Sequence, residues 1–128
     1  MEMFNNSPTE AKEKSSNQVE MDPFGRPFPK DDKPVPRTAA DCVIVRKNAE
    51  GEHEILLITR KKPGKFQGKH AFPGGHIDYN EDPVQAALRE LSEECGIQGC
   101  NPELLTVRGA PERDDRYHMI SIVYLVQL

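Results

Sequence analysis

Residues 82–96 constrain the fold more than any other stretch of this chain. Asp82 is a favoured helix N-cap, Pro83 suits the first helical position, and Gln85 stands three residues after the cap to close a capping box. Val84, Ala87, Leu88, Leu91 and Cys95 recur at helical spacing, and Gly96 is a natural stop. One amphipathic helix is therefore predicted here. At about 100° per residue, its apolar stripe centres near Val84, and Glu90, Glu93 and Glu94 fall together on the adjoining flank.

Those three glutamates work against the helix. They are i, i+3 and i+4 neighbours, where like charges repel by about a few tenths of a kcal/mol per pair. They also lie near the C-terminal end, where the macrodipole disfavours each by a further ~0.3–1 kcal/mol. A sequence shaped by folding alone would carry Lys there. An acidic flank is ordinarily a solvated face, but a bound divalent cation would turn this penalty into attraction. Carboxylates with no neighbouring Cys or His pair suit a hard ion, Mg²⁺ first and Mn²⁺ second.

The flanks of the helix read as strands. Cys42-Val43-Ile44-Val45 and Ile55-Leu56-Leu57-Ile58-Thr59 are apolar runs joined by the turn-prone Asn48-Ala49-Glu50-Gly51, giving two strands and a short loop. After a basic stretch, His70-Ala71-Phe72 leads into Pro73-Gly74-Gly75, a turn where backbone can approach a ligand closely. Beyond the helix, Leu104–Val107 is a further strand. Met119–Val126 is almost continuously apolar, as suits a central strand covered on both faces.

Residues 1–36 differ in kind. They hold six of the eleven prolines together with Asn/Ser-rich pieces, five basic and seven acidic side chains. Such a segment buries too little apolar surface to offset chain ordering, so a disordered Pro-rich tail is expected, with a folded domain over 37–128. Phe24-Gly25-Arg26-Pro27-Phe28-Pro29 is the exception, with two aromatics in an extended frame suited to lying across the domain or a dimer partner. A net charge of −4 gives no broad positive field for a nucleic-acid polymer, and no apolar stretch reaches the membrane-spanning length of about 20 residues. Three cysteines without a CxxC pair indicate neither a disulfide framework nor a zinc knuckle. A reduced, cytoplasmic setting is expected.

From Gly75 the sequence runs GHIDYNEDPVQAALRELSEECGI and fits G-x5-E-x7-R-E-U-x-E-E-x-G-U, with U aliphatic. Gly75, Glu81, Arg89, Glu90, Glu93, Glu94 and Gly96 fill the fixed positions, and Leu91 and Ile97 the aliphatic ones. At roughly 5–8% usage per residue type, seven such positions match by chance less than about once in ten million starting points. The segment resembles the Nudix box at every defining position, and a looser resemblance runs from about residue 38 to 128.

The resemblance implies an α/β fold, a mixed β-sheet between helices in an α/β/α sandwich. It also implies hydrolysis of a diphosphate linked to another group, with Mg²⁺ or Mn²⁺ held by Glu90, Glu93, Glu94 and the Gly74 carbonyl. Arg89 and Glu81 would pair to hold the loop onto the helix, making Arg89 part of the catalytic set. Glu93 or Glu90 would accept the proton of the attacking water. Gly75 and Gly96 would have backbone roles, and Leu91 and Ile97 would anchor the helix in the core.

The stretch 60–69 carries Arg60, Lys61, Lys62, Lys65 and Lys69 and no acid, beside the helix where phosphates must arrive. With Phe66 and Gly68 it looks like the segment preceding the box in ADP-ribose pyrophosphatase-like members. Arg113-Asp114-Asp115-Arg116, before the last strand, looks like their following segment. Arg60, Lys62, Phe66, His76 and Arg116 are accordingly expected to bind a nucleotide-type substrate, ADP-ribose or a related nucleoside diphosphate sugar. The runner-up is a nucleotide-sanitising (d)NTP pyrophosphohydrolase; a reading of another class is a non-catalytic nucleotide-sugar-binding module. With one long helix in 38–128, one sheet face is expected to stay bare. That favours a fold cut short on its C-terminal side, or else a homodimer that supplies the cover.

Overall fold

The computed structural model describes residues 20–28 and 34–128. Most of the segment expected to be a disordered tail, residues 1–19 and 29–33, lies outside the described residues. Within residues 20–28 the chain makes a local turn. Met21 bridges Pro27, and the Asp22 carboxylate accepts from the Phe24 and Arg26 amides, both at 2.9 Å, and from Arg26 Nε at 2.8 Å. A short polar side chain that caps nearby amides replaces the contacts a longer element would supply.

Residues 35–128 form a separate compact unit. Its main sheet holds β1 (Arg37–Val43), β6 (Gly74–His76), β7 (Cys100–Arg108) and β8 (Met119–Gln127) in the order β6-β1-β8-β7. β1 runs parallel to β8, from Arg37 opposite Met119 to Val43 opposite Leu125. β6 and β7 are antiparallel to their neighbours, so the sheet is mixed. The apolar run at 119–126 takes the central place its composition predicts.

The run expected as one strand from Cys42 to Val45 divides. β1 begins earlier, at Arg37, and β2 (Val45–Lys47) turns away to pair with β3 (His53–Ile55) in a hairpin. Asn48 closes that hairpin: its Oδ1 accepts from the Glu50 and Glu52 amides at 3.0 and 2.9 Å, and Gly51 takes φ 82°. The second run divides too, with β4 (Ile58–Thr59) pairing with β5 (His70–Ala71). Apolar content marked these residues as strand, while the bends follow from pairing partners that periodicity does not encode.

The helix, α1 (Pro83–Cys95), matches its sequence signals. Asp82 is the N-cap and accepts from the Val84 amide at 2.9 Å, and Gly96 ends the helix with φ 67°. It packs on the sheet through small residues. Ala40, Ala86 and Ala87 are fully buried and Cys42 Sγ sits 3.3 Å from Ala87 O, with Leu91, Tyr124 and Val126 filling the rest of the core. Absent side-chain bulk on both surfaces lets helix and strand approach closely. Among the described residues this is the one α-helix, on a mixed sheet. Leu104, Leu105 and Val107 of β7 stay exposed, in keeping with the bare surface expected.

Candidate active site

The site is built where β6 meets α1. In the β1–β6 ladder Asp41 stands opposite Gly74 and Ala40 opposite Gly75. A Cβ on Gly74 would run into the Asp41 carboxylate and come within 2.5 Å of Ala40 O; one on Gly75 would lie 2.6 Å from the Glu90 carboxyl carbon. Neither glycine has positive φ. The pair is not the turn expected from sequence but part of strand β6, and its requirement is close approach: two carboxylates press directly against it.

Glu94 reaches the same strand, its Oε1 accepting from the Gly74 amide at 2.8 Å. Arg89 holds the other acids. Its Nε and Nη2 make a fork to Glu81, at 2.7 and 2.9 Å, its Nη1 donates to Glu90 Oε1 at 2.9 Å, and Nη2 donates to His76 O at 3.2 Å. Glu93 Oε2 is 3.3 Å from Nη1, at the exposed end of this network. The expected Arg89–Glu81 pair is therefore present, and it ties the loop at 78–81 to the helix. Its hydrogen bonds hold Glu81 below the usual carboxylate range and keep Arg89 charged.

Glu94 behaves oppositely. Burial raises its pKa, against the pull of the Gly74 amide, with Glu90 adding to the rise. Asp41, which sequence reasoning missed, follows the same pattern. Burial pushes it up to about 6, opposed by the Arg113 and Arg60 charges and reinforced by Glu94 and Glu90. The signal was an acid inside the small, apolar run Ala39-Ala40-Asp41-Cys42-Val43, where a folding-only sequence has no use for charge. Arg113 was also missed as an individual. Its Nη2 donates to Ser121 Oγ at 2.9 Å and to the Met119 carbonyl at 3.3 Å.

Among the described residues no group of three His, Cys, Asp or Glu side chains stands ready as a metal site. Glu90 and Glu93 are turned onto Arg89, and Glu94 onto the Gly74 amide. The donor set nevertheless fits a hard divalent cation: it is all oxygen, and the cradle at Gly75 is one that a single Cβ would fill.

The basic loop approaches from the side, and the Arg60 charge acts on both Glu94 and Asp41. Phe66 lies under Arg116, with the guanidinium 4.6 Å from the ring centroid. The Arg116 fork, however, is spent on Asp114, at 3.0 Å from Nε and 2.7 Å from Nη2, which lowers the Asp114 pKa to about 2. Lys62 is exposed. His76 contributes its carbonyl to Arg89, and its ring lies 6.5 Å from Tyr117. Leu91 is fully buried and Ile97 packs against the core, in the anchoring roles expected. A cavity of about 390 Å³ lies elsewhere, walled by Ile44, Ile55, Leu56, Leu57, Ile97 and Leu128 together with Arg46, Glu54, Thr59 and His70, and none of the site carboxylates or the Gly74-Gly75 pair lines it.

An ADP-ribose pyrophosphatase of Methanocaldococcus jannaschii is 39% identical over 93 residues, covering 73% of this chain and 52% of the relative. The chain thus spans about half the length of that curated relative. Among solved structures, a MutT/nudix family protein from Enterococcus faecalis superposes with TM-score 0.69 at 31% identity, covering 82% of this chain and 40% of that one. The NUDIX domain of Shewanella oneidensis NrtR, solved with ADP ribose, gives TM-score 0.67 at 26% identity, covering 75% and 62%. The family model for the NUDIX domain matches residues 35–128, and with the mixed sheet, helix and intact box it identifies the chain as a member of the NUDIX family.

Proposed function

We infer that the chain hydrolyses the diphosphate bond of a nucleotide-type substrate, ADP-ribose or a related nucleoside diphosphate sugar, yielding AMP and ribose 5-phosphate from ADP-ribose and one water. The observation that carries this reading is the approach of Glu90 and Glu94 to the Gly74-Gly75 pair of β6 with Arg60 beside them. Glu90, Glu93, Glu94 and the Gly74 carbonyl are the groups that would hold a divalent cation, Mg²⁺ or Mn²⁺. When bound, it supplies positive charge against the phosphate oxygens.

The chain's own residues do the rest. Arg89 fixes Glu90 and, through Glu81, fixes the helix to its loop. Glu93 Oε2 faces Arg89 while its side chain remains exposed, which leaves Glu93 accessible to take the proton of the attacking water. Arg60 brings a guanidinium to the phosphates. The substrate choice is supported by the M. jannaschii relative and by the ADP ribose in the S. oneidensis NrtR domain.

The test is AMP release from ADP-ribose by the purified chain with Mg²⁺, in parallel with dGTP and 8-oxo-dGTP. AMP from ADP-ribose, abolished by Glu93→Gln, is expected. Pyrophosphate release from the dNTPs alone would transfer the assignment to nucleotide sanitising. ADP-ribose binding without turnover would make the domain a binding module.

A further inference from the structure

Two loops reach the site, residues 60–69 and 110–118. The first is closed at its base, where the Arg60 amide donates to Lys69 O and the Gly68 amide to Arg60 O, both at 2.8 Å. Its tip is met by the second loop. Lys65 Nζ pairs with the Asp115 carboxylate, and the Arg116 guanidinium stacks on Phe66. Arg116 is itself engaged: its Nε and Nη2 are on Asp114, and its guanidinium carbon lies 4.6 Å from the Phe66 centroid and 4.9 Å from that of Tyr117. Tyr117 in turn carries Arg37 at 4.5 Å and neighbours His76. A guanidinium with two nitrogens on one carboxylate and two aromatic rings against it acts as a strut between loops rather than a spare phosphate ligand.

We propose that Arg116 and Asp115 are positioning residues, clasping the tip of loop 60–69 through Phe66 and Lys65 so that Arg60, at the loop's base, stands where the substrate's phosphates meet the carboxylates. The clasp follows from contacts within the chain; its bearing on phosphates rests on the hydrolase reading above. Both contacts are exposed, so each contributes modestly, and losing Arg116 is expected to raise KM about 5- to 10-fold while kcat changes little.

The experiment uses the full chain with Arg116→Ala, Arg116→Lys, Asp115→Asn and Arg60→Ala, each assayed with ADP-ribose and by amide hydrogen exchange. Arg116→Lys keeps the charge and loses the planar stack, so it should behave like Arg116→Ala. Residues 60–69 should exchange faster in Arg116→Ala and Asp115→Asn, while residues 83–95 stay as protected as in the parent chain. Adding Arg116→Ala to Arg60→Ala should raise KM no further, since one acts through the other. Additive losses, a parent-like Arg116→Lys, or unchanged exchange in 60–69 would each overturn the proposal. Should no substrate turn over, the hydrolase reading fails, and the exchange data alone decide whether the clasp exists.

Discussion

Arg89 grips Glu81 with two nitrogens, Nε at 2.7 Å and Nη2 at 2.9 Å, across a sequence gap that includes the helix cap. The pair is largely shielded, with side-chain exposures of 29% and 17%. The same guanidinium holds Glu90, so the fastening of the loop and the aim of a site carboxylate depend on one side chain. A charge-assisted fork of this kind is worth about 1–3 kcal/mol.

Glu81→Gln and Arg89→Ala should therefore each lower stability by about 1–3 kcal/mol, and the double variant should lose less than the sum. Arg89→Lys should also fail to restore the parent value, because one ammonium cannot replace a fork. Urea denaturation of the four chains measures the coupling. Strict additivity would show that the two residues stabilise the fold independently.

The helix and its acids were legible because their signals are local. Asp82, Pro83 and Gly96 cap one continuous element, and the box spacing placed Glu90 and Glu94 on the side that meets β6. The glycine pair reads as a turn in the sequence but lies in strand β6, and the reason for it is in Asp41 and Glu90, residues remote in sequence. Asp41 was overlooked because its meaning depends on the β1–β6 register. The stacking of Arg116 on Phe66 was equally hidden: it joins two loops with no periodicity to relate them. Arg116 was expected at the substrate, but its fork is consumed by its neighbour Asp114.

The raised acids make stability depend on pH in a defined direction. Asp41 titrates near 6 in the folded chain against 3.8 ordinarily, so it binds its proton more tightly when folded. Its contribution is full below about pH 4 and is lost as pH rises through 6, a swing on the order of 2–3 kcal/mol at most. Glu94 is shifted in the same direction. Glu81 is lowered, so its contribution is complete above its ordinary value of 4.5 and falls only in stronger acid. Metal-free chain should thus gain stability between pH 7.5 and pH 5, and Asp41→Asn should be more stable than the parent at pH 7.5 with a flatter profile. Parallel profiles for the two chains, read from urea midpoints at both pH values, would remove Asp41 as the cause.

A divalent cation should relieve the same repulsion. Mg²⁺ at ten times its dissociation constant stabilises the folded state by about 1.4 kcal/mol. Glu93→Gln and Glu94→Gln should each reduce this increment, and Asp82→Ala, which removes only a helix cap, should leave it intact. Thermal unfolding with and without Mg²⁺ reads the difference. An increment that survives both glutamine substitutions would locate the ion elsewhere.

The two glycines of β6 should fail in different ways, because different atoms stand against them. A Cβ on Gly74 meets β1 backbone, Ala40 O at 2.5 Å and Asp41 Cα at 2.8 Å, which cannot move without opening the ladder. Gly74→Ala should therefore cost about 1–3 kcal/mol or more in stability, as overpacking does. A Cβ on Gly75 meets the end of the Glu90 side chain, which can swing away. Gly75→Ala should fold nearly as well as the parent, yet lose turnover at least about tenfold, because the displaced carboxylate no longer presses against the strand. Urea midpoints with kcat on the same samples separate the outcomes. Parent-like turnover in Gly75→Ala would mean that the position of Glu90 seen here is not the one the reaction needs.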